Sequence, residues 1–216
     1  QSWDVVNEAI DPNDHLPGAL RNTPWYKLLG PKYIDIAYRT ARQADPHALL
    51  VYNDYGIEED NEPSAQKRTA VLELLRGMQR RGVPIDALGI QSHLTASSPA
   101  GYGVGLAGLI ADVERMGLKV FITELDVNDR RLPAAIPERD DAVAKTYAQY
   151  LKLVLAHKPV IAVLTWGITD KATWLNTKDF GRSDGLPERP LPFDPNLKPT
   201  PAFFAEVNAL RSAPKR

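Results

Sequence analysis

The stretch WDVVNEAID, residues 3–11, sets the interpretation of the rest of the sequence. Val5 and Val6 are typical of a strand that is covered on both faces, and the polar pair Asn7 and Glu8 follows them directly. A carboxylate just past the end of a buried strand is poorly placed for packing and well placed for chemistry. The stretch therefore predicts a functional edge, provided that further parallel strands end beside it.

Four more β-rich apolar runs follow, and amphipathic stretches with the helical period of 3.6 residues separate them. The predicted strands are 3–6, 49–53, 87–92, 119–125 and 160–166. Among the predicted helices, one covers 31–44, one has Ser64 as its N-cap and ends at Gly82, and the last covers 201–210. Strict alternation of strands and helices predicts parallel pairing with right-handed helical crossovers.

Composition excludes several classes of function. The 216 residues are 44% hydrophobic, carry a net charge of −1 and contain no cysteine. The charge gives no long-range attraction for nucleic acid or for an anionic membrane, and disulfides and cysteine-ligated metals are excluded. No apolar run approaches the roughly 20 residues of a membrane span. We expect no nucleic-acid partner, no membrane partner, no metal and no cofactor.

Five strands and their helices do not close a barrel, since an eight-stranded (β/α)8 barrel usually takes about 250 residues. Two architectures remain open: a doubly wound open sheet, and a (β/α)8 TIM barrel of which the chain carries roughly strands 4 to 8. No glycine-rich strand-to-helix turn of the phosphate-binding type is present, which weakens the dinucleotide form of the open sheet. An α/β barrel is favoured because every predicted strand ends in polar or aromatic residues, and barrel active sites lie at those ends.

The strand ends carry the following groups: Asn7 and Glu8; Asn53, Asp54 and Tyr55; Gln91, Ser92 and His93; Glu124 and Asp126; and Trp166. Glycosidic bond cleavage needs two carboxyl groups, one to protonate the leaving oxygen and one to attack or to activate water. Glu8 and Glu124 are the candidates. If they act as a retaining pair, we expect their carboxyl groups about 5–5.5 Å apart. We also expect the pKa of Glu8 to be raised by the neighbouring carboxylate.

The other polar and aromatic residues fit around this pair. Asn7 is placed to hydrogen-bond a sugar hydroxyl, and His93 with Asp126 can hold the carboxylate of Glu124. Trp166 and Trp174 offer flat apolar faces that stack on sugar rings. The acidic stretch 58–60 is predicted to be a solvated loop.

Five motifs carry a family resemblance. In this order, WDVVNEAID, VYNDYGIE, IDALGIQSHL, FITELDV and TWGITDKATW resemble glycoside hydrolase family 10, the endo-β-1,4-xylanases. The resemblance extends to the tail RPLPFDPNLKPTPAF and implies a (β/α)8 barrel that hydrolyses xylan with retention of configuration. It also implies these roles: Glu8 as acid/base; Glu124 as nucleophile; His93 and Asp126 as supporting residues; and Asn7, Tyr55, Gln91, His93, Trp166 and Trp174 as substrate-binding residues.

The family's first three βα units have no counterpart in the sequence, because WDVVNE corresponds to the fourth strand. We therefore expect residues 1–216 to be the C-terminal portion of a single catalytic domain, with the missing N-terminal part as a partner. Expressed alone, such a portion would expose two sheet edges, aggregate or become partly molten, and not hydrolyse xylan. We expect a secreted or periplasmic protein.

Three alternatives stay open at this stage. A β-glucanase or cellulase-type retaining glycosidase uses the same paired glutamates. A catalytically incompetent carbohydrate-binding fragment would keep the aromatic wall without turnover. An open-sheet α/β enzyme of another chemistry would need the glycine-rich anion cradle that the sequence lacks.

Overall fold

The computed structural model describes residues 2–215, and all strand pairings in its sheet are parallel. The strands are β1 (Ser2–Asn7), β2 (Leu49–Asp54), β3 (Ala87–Ile90), β4 (His93–Thr95), β5 (Lys119–Asn128) and β6 (Val160–Thr165). Their order is β1-β2-β3-β5-β4, and β6 pairs with β5. The parallel order brings the carboxyl ends of all the strands to one edge, as the sequence predicted.

One predicted strand is divided in the structure. The run 87–92 was expected to be continuous, but β3 ends at Ile90 and β4 begins at His93. Ser92 between them has a left-handed backbone with φ 67°, which interrupts the ladder. Its N–H donates to the buried carboxylate of Glu58 over 2.9 Å. The loop predicted to be solvated therefore contributes a buried anchor at Glu58, and this part of the prediction was wrong.

The helices are α1 (Pro24–Leu29), α2 (Lys32–Ala44), α3 (Glu62–Arg80), α4 (Val104–Arg115), α5 (Ile136–Leu155) and α6 (Pro201–Ser212). The expected N-cap at Ser64 was wrong, since the side chain of Asn61 caps α3 by accepting from the Ser64 N–H. Asn61 is preceded by acidic loop residues and followed by Pro63, a residue favoured in a first helical turn. The short α1 was not predicted.

Burial differs sharply between the middle of the sheet and its two ends. Leu50, Tyr52 and Leu88 in β2 and β3 are fully buried between helices and sheet. Within residues 2–215, β1 pairs only with β2, and β6 pairs only with β5. Most residues of β1 are exposed, and in β6 every residue except Val160 is exposed or partly exposed. No helix in this described part of the chain is both long and apolar enough to cross a membrane.

Candidate active site

Glu8 lies where the chain leaves β1 in a sharp turn. Its backbone has φ 55°, a left-handed conformation that is uncommon for a residue with a side chain and is found at functional sites. The Glu8 N–H donates to the carbonyl of Asn53 over 2.9 Å, which fixes the turn against β2. Its carboxylate accepts from Arg21 Nη1 at 2.8 Å and from Gln91 Nε2 at 3.0 Å. Glu8 is thereby held at the carboxyl edge of the sheet.

Glu124 belongs to the longest strand, β5, and the residue as a whole is 9% exposed. Its N–H donates to the Gln91 carbonyl over 2.9 Å. Oε1 accepts from Asn53 Nδ2 at 2.8 Å, and Oε2 lies 3.3 Å from His93 Nε2. Both carboxylate oxygens are thus held by side chains from other strands of the sheet, which fixes the direction in which the carboxylate points.

Asn53 connects the two glutamates. Its Nδ2 donates to Asn7 Oδ1 at 3.0 Å as well as to Glu124, while Asn7 donates to Glu8 Oε1 over 3.3 Å. Thr123 donates to Asn53 Oδ1 at 2.7 Å and fixes the amide orientation. This contact needs a glycine at position 89, where a Cβ would lie 2.4 Å from Asn53 Oδ1. The two carboxylates therefore belong to one hydrogen-bond network.

His93 is set beside Glu124 by strand register. It pairs with Asp126 across β4 and β5, and its Nδ1 lies 2.9 Å from Asp126 Oδ1. Glu124 and Asp126 are two positions apart on β5 and so share a face. Burial lowers the pKa of His93, but hydrogen bonds and charges of Asp126 and Glu124 outweigh it and raise that pKa to about 9. The imidazole is therefore a cation at neutral pH, facing the carboxylate of Glu124.

Aromatic side chains form a wall next to this histidine. Trp174 Nε1 donates to Asp126 Oδ2 at 2.7 Å, and its ring centroid lies 5.0 Å from that of His93. Trp166 lies 6.5 Å from His93 with its plane nearly perpendicular and is half exposed. On the side of Glu8, the exposed ring of Tyr55 lies under the ammonium of Lys67 at 3.7 Å. Exposed aromatic rings thus lie on both sides of the site, Trp166 beside His93 and Tyr55 beside Lys67.

The expected rise in the pKa of Glu8 was wrong for this structure. Burial raises the pKa of Glu8, but hydrogen bonds and positive charges from Gln91, Arg21 and Lys67 outweigh it and lower that pKa below its usual value. The expectation considered only the second carboxylate and the aromatic walls. The cations come from a loop and from a helix, so no motif at the strand ends predicted them.

All the residues predicted to form the site lie in this network: Asn7, Glu8, Tyr55, Gln91, His93, Glu124, Asp126, Trp166 and Trp174. The sequence prediction gave no site role to Asn53, Arg21, Lys67 or Glu58, although Asn53 was among the polar residues at the strand ends. A signal existed for Asn53, because it lies one residue before the end of β2 and pairs with Asn7, the last residue of β1. For Arg21 and Lys67 no local signal existed. Within residues 2–215, no group of three or more His, Asp or Glu side chains could hold a metal ion.

A parallel α/β sheet with two networked carboxylates and an aromatic wall at its carboxyl edge fits the class of barrel glycoside hydrolases. The model of glycosyl hydrolase family 10 matches residues 1–209. The chain belongs to this family.

Relatives agree with this assignment. The thermostable celloxylanase of Thermoclostridium stercorarium is 37% identical over 98% of this chain and 54% of its own length. The crystal structure of native xylanase 10B from Thermotoga maritima superposes with a TM-score of 0.83 at 33% identity, covering 98% of this chain and 60% of that chain. Xylanase 10B from Thermotoga petrophila in complex with xylobiose gives 0.82 at 32% identity, covering 97% and 59%.

The predicted fold class is confirmed: the chain forms a C-terminal region of the (β/α)8 barrel seen in these structures. It spans about half the length of the celloxylanase and 60% of the Thermotoga maritima structure.

Proposed function

We propose that the chain is the catalytic portion of a retaining endo-1,4-β-xylanase that hydrolyses internal bonds of xylan by double displacement. The observation that carries the proposal is the link from Glu8 through Asn7 and Asn53 to Glu124 on the catalytic edge of the sheet. The link joins the acid/base candidate and the nucleophile candidate in one hydrogen-bond network. The family assignment supports the same chemistry.

In the first step, Glu124 attacks the anomeric carbon while Glu8 gives its proton to the leaving glycosidic oxygen. The attack forms a covalent glycosyl-enzyme and breaks the bond between sugar units. His93 and Asn53 hold the two oxygens of Glu124, so the carboxylate needs little reorientation to react. The role proposed for Asn7 is to bind the hydroxyl next to the anomeric carbon.

In the second step, the now deprotonated Glu8 takes a proton from water, which attacks the same carbon and releases Glu124. A carboxylate with a lowered pKa suits this base role, because it is ionised at neutral pH. The two displacements restore the original configuration.

Xylan and xylo-oligosaccharides are the proposed substrates. The named relatives support this choice, since most are xylanases and one solved neighbour holds xylobiose. Trp166, Trp174 and Tyr55 supply stacking faces for a sugar chain. A β-glucanase activity is tested by comparing xylan with cellulose and mixed-linkage glucan, and we expect xylan to be preferred.

The roles of the two glutamates are tested in the full-length protein with Glu124→Ala, Glu8→Ala and the control Glu73→Gln, an exposed glutamate on α3. We expect both alanine variants to lose xylan hydrolysis, and the control to keep it. With an activated aryl β-glycoside and azide, Glu8→Ala should give the β-glycosyl azide, because azide attacks the glycosyl-enzyme in place of water. Glu124→Ala should give the α-glycosyl azide, because azide takes the place of the missing nucleophile. Exchanged products would reverse the roles, and unaffected hydrolysis would refute the site.

We further propose that residues 1–216 act as the C-terminal portion of one catalytic domain, completed by additional βα units at β1 and β6. The exposed end strands support this proposal. Residues 1–216 expressed alone should give weak near-ultraviolet circular dichroism, association and no xylan hydrolysis. A monodisperse, cooperatively folded, active monomer would contradict it.

A secreted or periplasmic location is also proposed, because polymeric xylan is an extracellular substrate. Fractionation of the producing cells, with immunodetection of the full-length protein, tests it. Recovery of the protein only from the cytoplasm would contradict the proposal.

A further inference from the structure

We propose that Arg21 is a positioning residue for Glu8: it holds the carboxylate so that its proton can be given only to a bound leaving oxygen or to water. The inference rests on the proposed acid/base role of Glu8. Arg21 lies outside the strand ends and outside the set of residues that the sequence predicted for the site.

The backbone brings Arg21 alongside Glu8. The N–H of Arg21 donates to the carbonyl of Ala9 over 2.7 Å, and Ile10 and Leu20 form an antiparallel bridge. Ala9 and Ile10 are fully buried, so this narrow hairpin is anchored to the core. These contacts hold the backbone of Arg21 beside Ala9, the residue that follows Glu8, so the side chain of Arg21 starts close to the Glu8 carboxylate.

The guanidinium spans two groups of the site. Nη1 donates to Glu8 Oε2 at 2.8 Å, and Nη2 donates to the hydroxyl of Tyr55, also at 2.8 Å. The side chains of Arg21 and Glu8 are only 25% and 30% exposed, so the ion pair is partly shielded from water. The rigid fork of arginine thereby connects the carboxylate to the hydroxyl of Tyr55.

Every protein side chain that bonds to the Glu8 carboxylate is a donor. Oε1 accepts from Gln91 Nε2 at 3.0 Å and from Asn7 Nδ2 at 3.3 Å, while Oε2 accepts from Arg21. The side-chain atoms that contact the carboxylate are all N–H donors, so in this arrangement a protonated Glu8 would meet no acceptor among them. An acceptor that enters the site, such as a glycosidic oxygen, would therefore stabilise the acid form. Binding of the leaving group and protonation of Glu8 thus favour one another.

Other charged groups facing Glu8 already have close partners. Lys67 Nζ lies 2.7 Å from Asp54 Oδ1, and Glu124 is paired with the His93 imidazolium. Lys67 and Arg21 both lower the pKa of Glu8, but only Arg21 touches the carboxylate. Replacing Arg21 should therefore change the proton affinity of Glu8 more than replacing any other cation in the site.

The test compares Arg21→Gln with the control Arg81→Gln in the full-length protein. Arg81 forms a similar forked pair with Asp35, on the surface between helices. In Arg21→Gln, the basic limb of kcat/KM should move to higher pH, and the carbon-13 titration of the Glu8 carboxyl should move with it. Its resonance is assigned with Glu8→Gln. Arg81→Gln should leave both curves unchanged, and Arg21→Lys should fall between.

A purely structural role for Arg21 would lower the activity without moving either curve, and that result would overturn the proposal. If Arg21→Gln does not fold, Tyr55→Phe removes only the second anchor and should shift the Glu8 titration in the same direction. An unmoved titration in that variant would then overturn the proposal. If the titration moves but the wild-type protein does not hydrolyse xylan, the proposed function fails while the role of Arg21 stands.

Discussion

The centre of the sheet and its two end strands differ in how deeply their side chains are buried. In β2, Val51 and Tyr52 are at most 1% exposed, whereas Trp3 in β1 is 58% exposed and Leu164 in β6 is 49% exposed. The candidate nucleophile Glu124 lies on β5, between β3 and β6, but the candidate acid/base Glu8 follows the end strand β1. The position of Glu124 thus depends on the packed centre of the sheet, and the position of Glu8 depends on the end strand β1.

The two carboxylates are held in place in different ways. Glu124 gains its geometry from strand register, since its partners His93 and Asn53 lie on adjacent or nearby strands. Glu8 lacks a strand on its outer side among the described residues and gains its geometry from Arg21 and Gln91. Core packing therefore fixes the first carboxylate, and individual polar contacts fix the second.

The largest expected effect compares two leucines. Leu50 is fully buried in β2, so Leu50→Ala should lower the free energy of unfolding by about 2–5 kcal/mol through lost burial and a cavity. Leu164 in β6 is 49% exposed within residues 2–215, but the additional βα units proposed at β6 would cover it. In the full-length protein, Leu164→Ala should therefore also lower the free energy of unfolding, by about 2 kcal/mol or more. Urea unfolding of the full-length protein measures both. A change of about 0.5 kcal/mol or less in Leu164→Ala would show that β6 stays exposed in the complete protein.

A second comparison uses two glycines. In Gly89→Ala, the new Cβ would lie 2.4 Å from Asn53 Oδ1, and that amide is held by Thr123 and Glu124. We expect a destabilisation of about 1–3 kcal/mol and a loss of xylan hydrolysis. Gly108→Ala in α4 meets open space and should stabilise by about 0.5–1 kcal/mol. Full activity of Gly89→Ala would show that Asn53 is not needed for the geometry of Glu124.

A third expected effect is a pH dependence of stability at the centre of the site. The pKa of His93 rises on folding from 6.5 to about 9, so its contribution is complete below pH 6.5 and is lost as the pH rises to about 9. We expect Tm to fall across this window in the wild type. His93→Gln should flatten the fall, while a control His47→Gln in an exposed loop should keep it. Parallel profiles for wild type and His93→Gln would contradict the shift.

The smallest expected change in folding stability concerns the edge itself. Within residues 2–215, Ile161 in β6 is 42% exposed and the outer side of β6 has no partner strand, so Ile161→Lys places a charge on this edge. In residues 1–216 expressed alone, the variant should change folding stability by about 0.5 kcal/mol or less and should associate less than the unchanged segment. Sedimentation velocity at several concentrations measures this. If association is unchanged, another surface causes it.

Sequence patterns predicted the fold well where periodicity was strong. The apolar runs and the 3.6-residue stripes gave the parallel strands and the long helices. They failed at Ser92, because the left-handed turn depends on a hydrogen bond to Glu58, which is far away in the sequence. They also failed at the start of α3, where Asn61 rather than Ser64 is the cap.

The sequence predicted those site residues that lie at or near the ends of strands. Glu8, His93 and Glu124 follow or end apolar runs, and the family motifs pointed to them. Arg21 was missed because a hairpin places it, and Lys67 because one turn of α3 points it toward β2. Sequence also gave the wrong direction for the pKa of Glu8, because the sign depends on these two cations.

The hairpin that follows β1 carries both Glu8 and Arg21, so the two residues form one continuous segment of the chain. They lie 13 positions apart and are joined by their own backbone bridge, so they can be grafted as one segment. Another barrel that receives residues 8–21 of this chain would gain the proton donor Glu8 together with Arg21, the cation that holds its carboxylate. Recombination within this segment would separate them, whereas crossovers on either side would not.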